Sequence, residues 1–349
     1  MNVFLIVYYV AKHGFLLVLV PGRLIHFRIQ IKSFSLTGKA FGNTFPVYTY
    51  EEYVMPLPQI SKHPVPVLLI GAIIISFSSV FVKLSQVYPM VSAFYRVFFG
   101  CIFLAIACGV KGEFKKRGMK NNLLAVLCGL VFSVDLFCWH FSIDYIGPGL
   151  ATILGNCQVF ILALAGWLLY KEHLGFWFLV SLPLAFLGLF LIIGLDGAQL
   201  TPQYLLGVGL GILTAISYGI FLLLIRHIQS EGDGPVFYYQ VILTAASSFF
   251  LGLVVLGSGH SFVIPSLASL AALVGVGGLS QALAWAMISH CLARVKASRA
   301  GLILLLQPAL SFVWDVILFD RQTGAMGWMG LVMVLGAIYL GMGNRKEID

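Results

Sequence analysis

The chain has 349 residues, of which 60% are hydrophobic and only 10% charged, and its formal net charge is +8. A soluble domain carries roughly 25% charged residues, so the composition excludes a water-soluble globular protein and specifies an all-α polytopic membrane protein. The six cysteines show no CxxC spacing, so neither a metal site nor a disulfide framework is expected, and no cofactor is implied.

Residues 1–64 differ from the rest of the chain. Met1 to Val20 is apolar but broken by Lys12 and His13 and ended by Pro21, Gly22 and Arg23. It has no basic n-region and no small-residue cleavage site, so a poor extra span fits it better than a signal peptide. Residues 21–60 mix Arg23, Arg28, Lys32 and Lys39 with aromatics and show no period. The expectation is an N-terminal extension outside the core, dispensable up to residue 54, with Met55 an alternative initiator.

Ten apolar runs come after it, near 65–84, 90–110, 122–143, 149–170, 175–194, 204–225, 235–257, 267–291, 299–319 and 325–343. At about 1.5 Å per residue each is long enough to cross a hydrocarbon core of about 30 Å as a helix. The fourth run carries Asn156 and Gln158 near its middle and ends in Lys171-Glu172-His173. The ninth repeats this plan 150 residues later, with Gln307-Pro308 in place of Cys157-Gln158, and Ile153, Leu154 and Leu168 recurring as Ile303, Leu304 and Leu318. Other pairs agree. Ile75-Ser76-Phe77 matches Ile216-Ser217-Tyr218, and Asp135 with Trp139 matches Gln281 with Trp285. The chain divides into a first five-helix repeat, 65–194, a second, 204–343, and a short tail, 344–349.

Placing the first run's N-terminal flank in the cytoplasm puts 13 of the 16 Lys and Arg residues after position 54 on the inside. This is the positive-inside pattern. The basic residues are thereby explained as topology determinants rather than as a nucleic-acid surface, and both ends of the core are expected in the cytoplasm. Because five is odd, the second repeat enters the membrane inverted. Inverted repeats that hold solute near the midplane are a recurrent carrier plan.

Lys83 closes the first run and Tyr95-Arg96 lies early in the second. The third carries Asp135-Leu136 and then Trp139 to Ile143, and the penultimate run of each repeat ends in a short charged cap. With the segment Ala151–Glu172 and Gln307-Pro308, this arrangement over 65–343 resembles the EamA-type transporters of the drug/metabolite transporter superfamily. The resemblance implies ten helices around a central cavity and movement of small metabolites, often outward, across a plasma (bacterial inner) membrane. The halves are not equivalent, since Gln322 stands where the first has Glu172 and Gln240 lies near the place of Arg96.

Candidate solute contacts are Asp135, Trp139, Thr152, Asn156, Gln281, Trp285 and Gln307. A lone mid-span carboxylate costs about 2.5–3.5 kcal/mol on insertion scales. Asp135 is therefore read as a substrate contact or proton relay, or as the structural partner of Arg96 or Lys83. Trp139 shares its face at i+4, and Thr152 shares that of Asn156. Gln158, about 200° from Asn156, is assigned an interhelical bond, and His140 a packing role. Pro308 removes the bond to the Leu304 carbonyl, which makes Gln307 either a ligand contact or part of a tolerated kink. Three classes remain in view: a secondary transporter of a small organic solute, an intramembrane enzyme built on Asp135 and His140, and a channel or scaffold. No P-loop supports ATP-driven pumping, and no hydrolase motif supports the enzyme.

Overall fold

The computed structural model describes residues 15–20, 23–28, 64–115, 118–193, 201–230 and 235–342. In the unit Met1–Met55, β1 (Phe15–Val20) pairs antiparallel with β2 (Arg23–Arg28), Val20 opposite Arg23. The end of the apolar N-terminal stretch is thus a strand and Arg23–Arg28 its partner; the other residues up to 63 lie outside the described ones.

Among the described residues the unit Pro56–Asp349 contains ten helices long and apolar enough to span: α1 (Pro64–Ser85), α2 (Pro89–Val110), α3 (Met119–Gly147), α4 (Leu150–Leu169), α5 (Phe176–Ile193), α6 (Pro202–Ser230), α7 (Val236–Gly257), α8 (Leu267–Leu292), α9 (Ala297–Phe319) and α10 (Ala325–Met342). The core is all-α, as the apolar runs imply. Large side chains such as Ile106, Leu164, Phe249 and Tyr339 are exposed around it. In water such a surface would be a liability; against lipid it is the required one.

The helices pack across the repeats rather than within them. The most extensive contacts join α3 and α4 to α6, α5 to α10, α2 to α7, α3 to α7, α2 to α8, α4 to α9, and α1 to α8 and α9. Exchanging the two sets of five helices maps this pattern onto itself, pair by pair, which is the signature of a two-fold axis between inverted repeats. Close approach is made by small residues, since lipid supplies no hydrophobic drive between helices. A Cβ on Gly330 would sit 2.5 Å from the Gly188 carbonyl oxygen, where α5 crosses α10. Gly207 and Gly211 bring α6 against Ile146 and Leu154 in the same way. At the α3–α4 junction Gly147 has φ +79°, a backbone that residues with a Cβ rarely adopt.

Three spans are interrupted. α1 breaks at Phe77, α4 at Cys157 and α9 at Leu305. The α9 break falls three residues before Pro308, as its missing N–H requires. The α4 break has no proline, and Cys157 bonds the Leu154 carbonyl in a tightened turn. These matched breaks lie 148 residues apart (157 and 305), two fewer than the sequence offset.

Candidate functional site

The buried polar centre is built around Arg96 on α2. Its Nε donates to Gln281 Oε1 on α8 at 3.0 Å, and its guanidinium lies 5.9 Å from the Phe132 ring centre on α3. Asp135, 7% exposed, sits one turn beyond Phe132 and within electrostatic reach of both Arg96 and Tyr218. Among the described residues no hydrogen bond reaches the Asp135 carboxylate, and no ion pair within 4.0 Å joins it to Arg96. Lys83, the other partner considered for Asp135, pairs instead with Asp315 at 3.6 Å.

An aromatic cluster flanks this centre. Phe132 stacks on Phe221 of α6 at 4.4 Å, and Trp285 of α8 stands edge-on to Phe221 at 4.9 Å and to Tyr218 at 6.3 Å. The cluster therefore takes residues from both repeats. Gln281 and Trp285 share a face at i, i+4, and α8 is π-helical over Val276–Ala284, a distortion often found at functional sites. Gln281 Nε2 and Trp285 Nε1 are buried with no hydrogen-bond partner among the described residues. An orphaned buried donor costs about 1–3 kcal/mol. Two of them beside a buried Arg and the unbonded Asp135 carboxylate make a layer whose polar groups are only partly satisfied by the protein.

The remaining expected contacts are placed differently. Trp139 is half-buried, edge-on to His140 at 4.9 Å. His140 is buried and its Nδ1 shares a 2.6 Å hydrogen bond with the Leu136 carbonyl, a packing histidine on its own helix. Asn156 Nδ2 donates to the Thr152 carbonyl at 2.8 Å, so the polar stripe on α4 bonds partly to itself. Gln307 is half-buried. Gln158 is fully buried, yet neither its Oε1 nor its Nε2 has a partner, so the interhelical bond assigned to it is absent among the described residues.

Sequence reasoning missed three features. It did not find Tyr218 and Phe221, although Tyr218 was visible as the counterpart of Phe77. It treated Arg96 as a partner for Asp135, whereas its direct bond is to Gln281. It also read the charged end of α4 as a cap on topology alone. Glu172 is in fact 8% exposed and accepts from Ala297 N at 2.6 Å, Ser298 N at 3.1 Å and Ser298 Oγ at 2.7 Å.

The likeness to known proteins agrees with this architecture. A crystal structure of a protein matches with a TM-score of 0.71 over 80% of this chain and 96% of that one, at 13% identity, a likeness of fold alone. No curated protein matches. The model of the EamA-like transporter family matches residues 64–194 and again 205–342. The two matches fall on the two halves of the ten-helix bundle, and the chain belongs to the EamA-like transporter family, within the drug/metabolite transporter superfamily.

Proposed function

We propose that this membrane transporter is a secondary carrier, driven without ATP, that exports a small organic metabolite or drug by alternating access about the Arg96–Asp135 layer. The observation that carries the reading is the composition of that layer. A cation, a carboxylate with no direct partner among the described residues and two donors orphaned among them meet at the contact between α2, α3, α6 and α8, that is, between the repeats. Asp135, Gln281 and Trp285 are the core of the site, Arg96 and Tyr218 join them, and Trp139, Thr152, Asn156 and Gln307 line the approach. The solute class that suits these groups is polar and compact. Its acceptors face Arg96, Gln281 and Trp285, and a cationic group is received by Asp135 and the ring faces. The basic end of the bundle, with Glu172, faces the cytoplasm of a plasma (bacterial inner) membrane.

Flux of radiolabelled solutes into proteoliposomes tests this, after a thermal-shift screen against a metabolite library has selected candidates. Saturable flux that Arg96→Gln abolishes is expected. Product formation without net flux would instead support the intramembrane enzyme.

A further inference from the structure

At the end of the bundle carrying Glu172, two carboxylates of the first repeat hold helix N-termini of the second: Glu113 accepts from Phe237 N at 3.0 Å and Tyr238 N at 3.1 Å at the start of α7, and the more deeply buried Glu172 holds α9. Glu172 follows α4, in the first repeat, and everything it holds lies in the second. Its carboxylate accepts the first backbone N–H groups of α9 and the Ser298 hydroxyl, and lies 3.7 Å from Arg226 Nη2 on α6. Arg226 in turn donates through Nη1 to the carbonyls of Leu292, at 2.7 Å, and Val295, which close α8, and it stacks 4.4 Å over the Tyr170 ring. A carboxylate on the N-terminus of a helix is favoured by the helix dipole and by charge-assisted bonds. Gly166 makes room for it, since a Cβ there would lie 2.6 Å from Glu172 Oε2. The two charged side chains are 6% and 13% exposed.

Among the described residues the opposite end is joined across the repeats by other contacts, Lys83 with Asp315 at 3.6 Å and the Tyr95 hydroxyl donating to the Phe262 carbonyl at 2.7 Å. Lys171 (φ +53°) and Asp320 (φ +51°) are the left-handed residues that end α4 and α9. Aligning them places Arg321 opposite Glu172. A cation is repelled by a helix N-terminus, so Arg321 cannot make the matching contact with α4. It donates to the Ile192 carbonyl at 3.1 Å and lies 3.9 Å from Asp315, both side chains more than a third exposed.

We infer that Glu172 is a positioning residue of the cytoplasmic gate: its bonds to Ala297, Ser298 and Arg226 hold α4 against α9 while that end is closed, and the α4–α9 seam opens when α9 leaves the carboxylate. The inference rests on the carrier reading of the bundle. The Glu172 carboxylate is occupied by Ala297, Ser298 and Arg226. It acts through α9, whose lower segment, Ala297–Leu304, is already separated from the upper by the break at Leu305, so that segment can move as a short rod.

The test uses the full chain with its six cysteines replaced and a single cysteine at Ala300, a fully buried position one turn into α9. A membrane-impermeant thiol reagent is applied from the cytoplasmic side. Glu172→Gln keeps the shape but loses the charge and the ion pair, and labelling is expected to quicken at least about tenfold. Ser298→Ala removes one of the three bonds and is expected to quicken it about threefold. Glu172→Asp should restore most of the protection. Labelling that stays within about twofold in both variants, with the melting curve intact, overturns the inference. If Glu172→Gln fails to fold, Ser298→Ala alone decides. The labelling needs no solute, so its failure is distinguishable from a failure of the carrier reading, which flux measures.

Discussion

Asp135→Asn separates a transport role from a structural one. The amide matches the carboxylate in volume and removes only its charge. If Asp135 were the structural counter-ion of Arg96, the change would break a buried pair, which typically costs about 3–5 kcal/mol. No ion pair within 4.0 Å is there to break, and Arg96 keeps its 3.0 Å bond to Gln281 and its place over Phe132. The expected loss of stability is below about 1 kcal/mol, a melting shift of a few degrees at most. The expected loss of function is larger. A hydrogen bond to a charged group contributes about 1.5–3 kcal/mol net, and each 1.36 kcal/mol is tenfold. Flux of a cationic solute at limiting concentration should therefore fall about ten- to a hundredfold, and that of an uncharged solute of equal size should change little. Proteoliposome flux and the melting temperature of the same purified variant are the two measurements. Unchanged flux with a melting temperature lowered by ten degrees or so would refute the reasoning and return Asp135 to a structural role.

Gln281→Leu should act in the opposite proportion. It takes the acceptor from Arg96 Nε, a buried cation, and is expected to cost about 1–3 kcal/mol as well as transport, read by melting and flux together. Gly330→Val is expected to lower stability by about 1–3 kcal/mol or more, because its Cβ meets the Gly188 carbonyl at 2.5 Å; Gly336→Ala, with no atom within 4 Å of the new methyl, should be neutral in the same assay. In a cysteine-depleted chain, Lys115→Cys should react with an impermeant reagent only from the cytoplasmic side, and labelling from outside alone would reverse the assigned topology.

Fold and site were legible to different degrees, for a physical reason. A span is written in a run of about 20 apolar residues, so each of the ten runs lies within about five residues of its helix. The inverted repeat survives as matched pairs such as Ser76 with Ser217 and Trp139 with Trp285. The side-chain partners are another matter, because they join residues far apart in the chain. Arg96 and Gln281 are 185 positions apart, and Glu172 and Ser298 are 126. No local pattern encodes such a bond. Where a residue does bond locally, the sequence allowed the guess, as with His140 and the Leu136 carbonyl. The charged end of α4 misled because one composition serves two purposes: Lys171 fits the basic bias of that face, while Glu172 beside it is withdrawn from solvent.

The packing across the repeats also bears on how the chain is made. Helices α1 to α5 leave the ribosome first, and their main neighbours have not yet been synthesised. Apart from the continuous α3–α4 pair, the contacts among them are slight: α1 with α2, α2 with α3, and α3 or α4 with α5. The N-terminal half must therefore wait in the bilayer as a set of loosely associated spans, with Arg96 and Asp135 lacking α8 and α6 beside them. The polar groups that give the finished protein its centre are, in that interval, the costliest residues in the membrane. Assembly is then a late, nearly concerted event, completed when α10 closes on α5. Two half-chains produced separately in one cell should each be short-lived alone and persist only together.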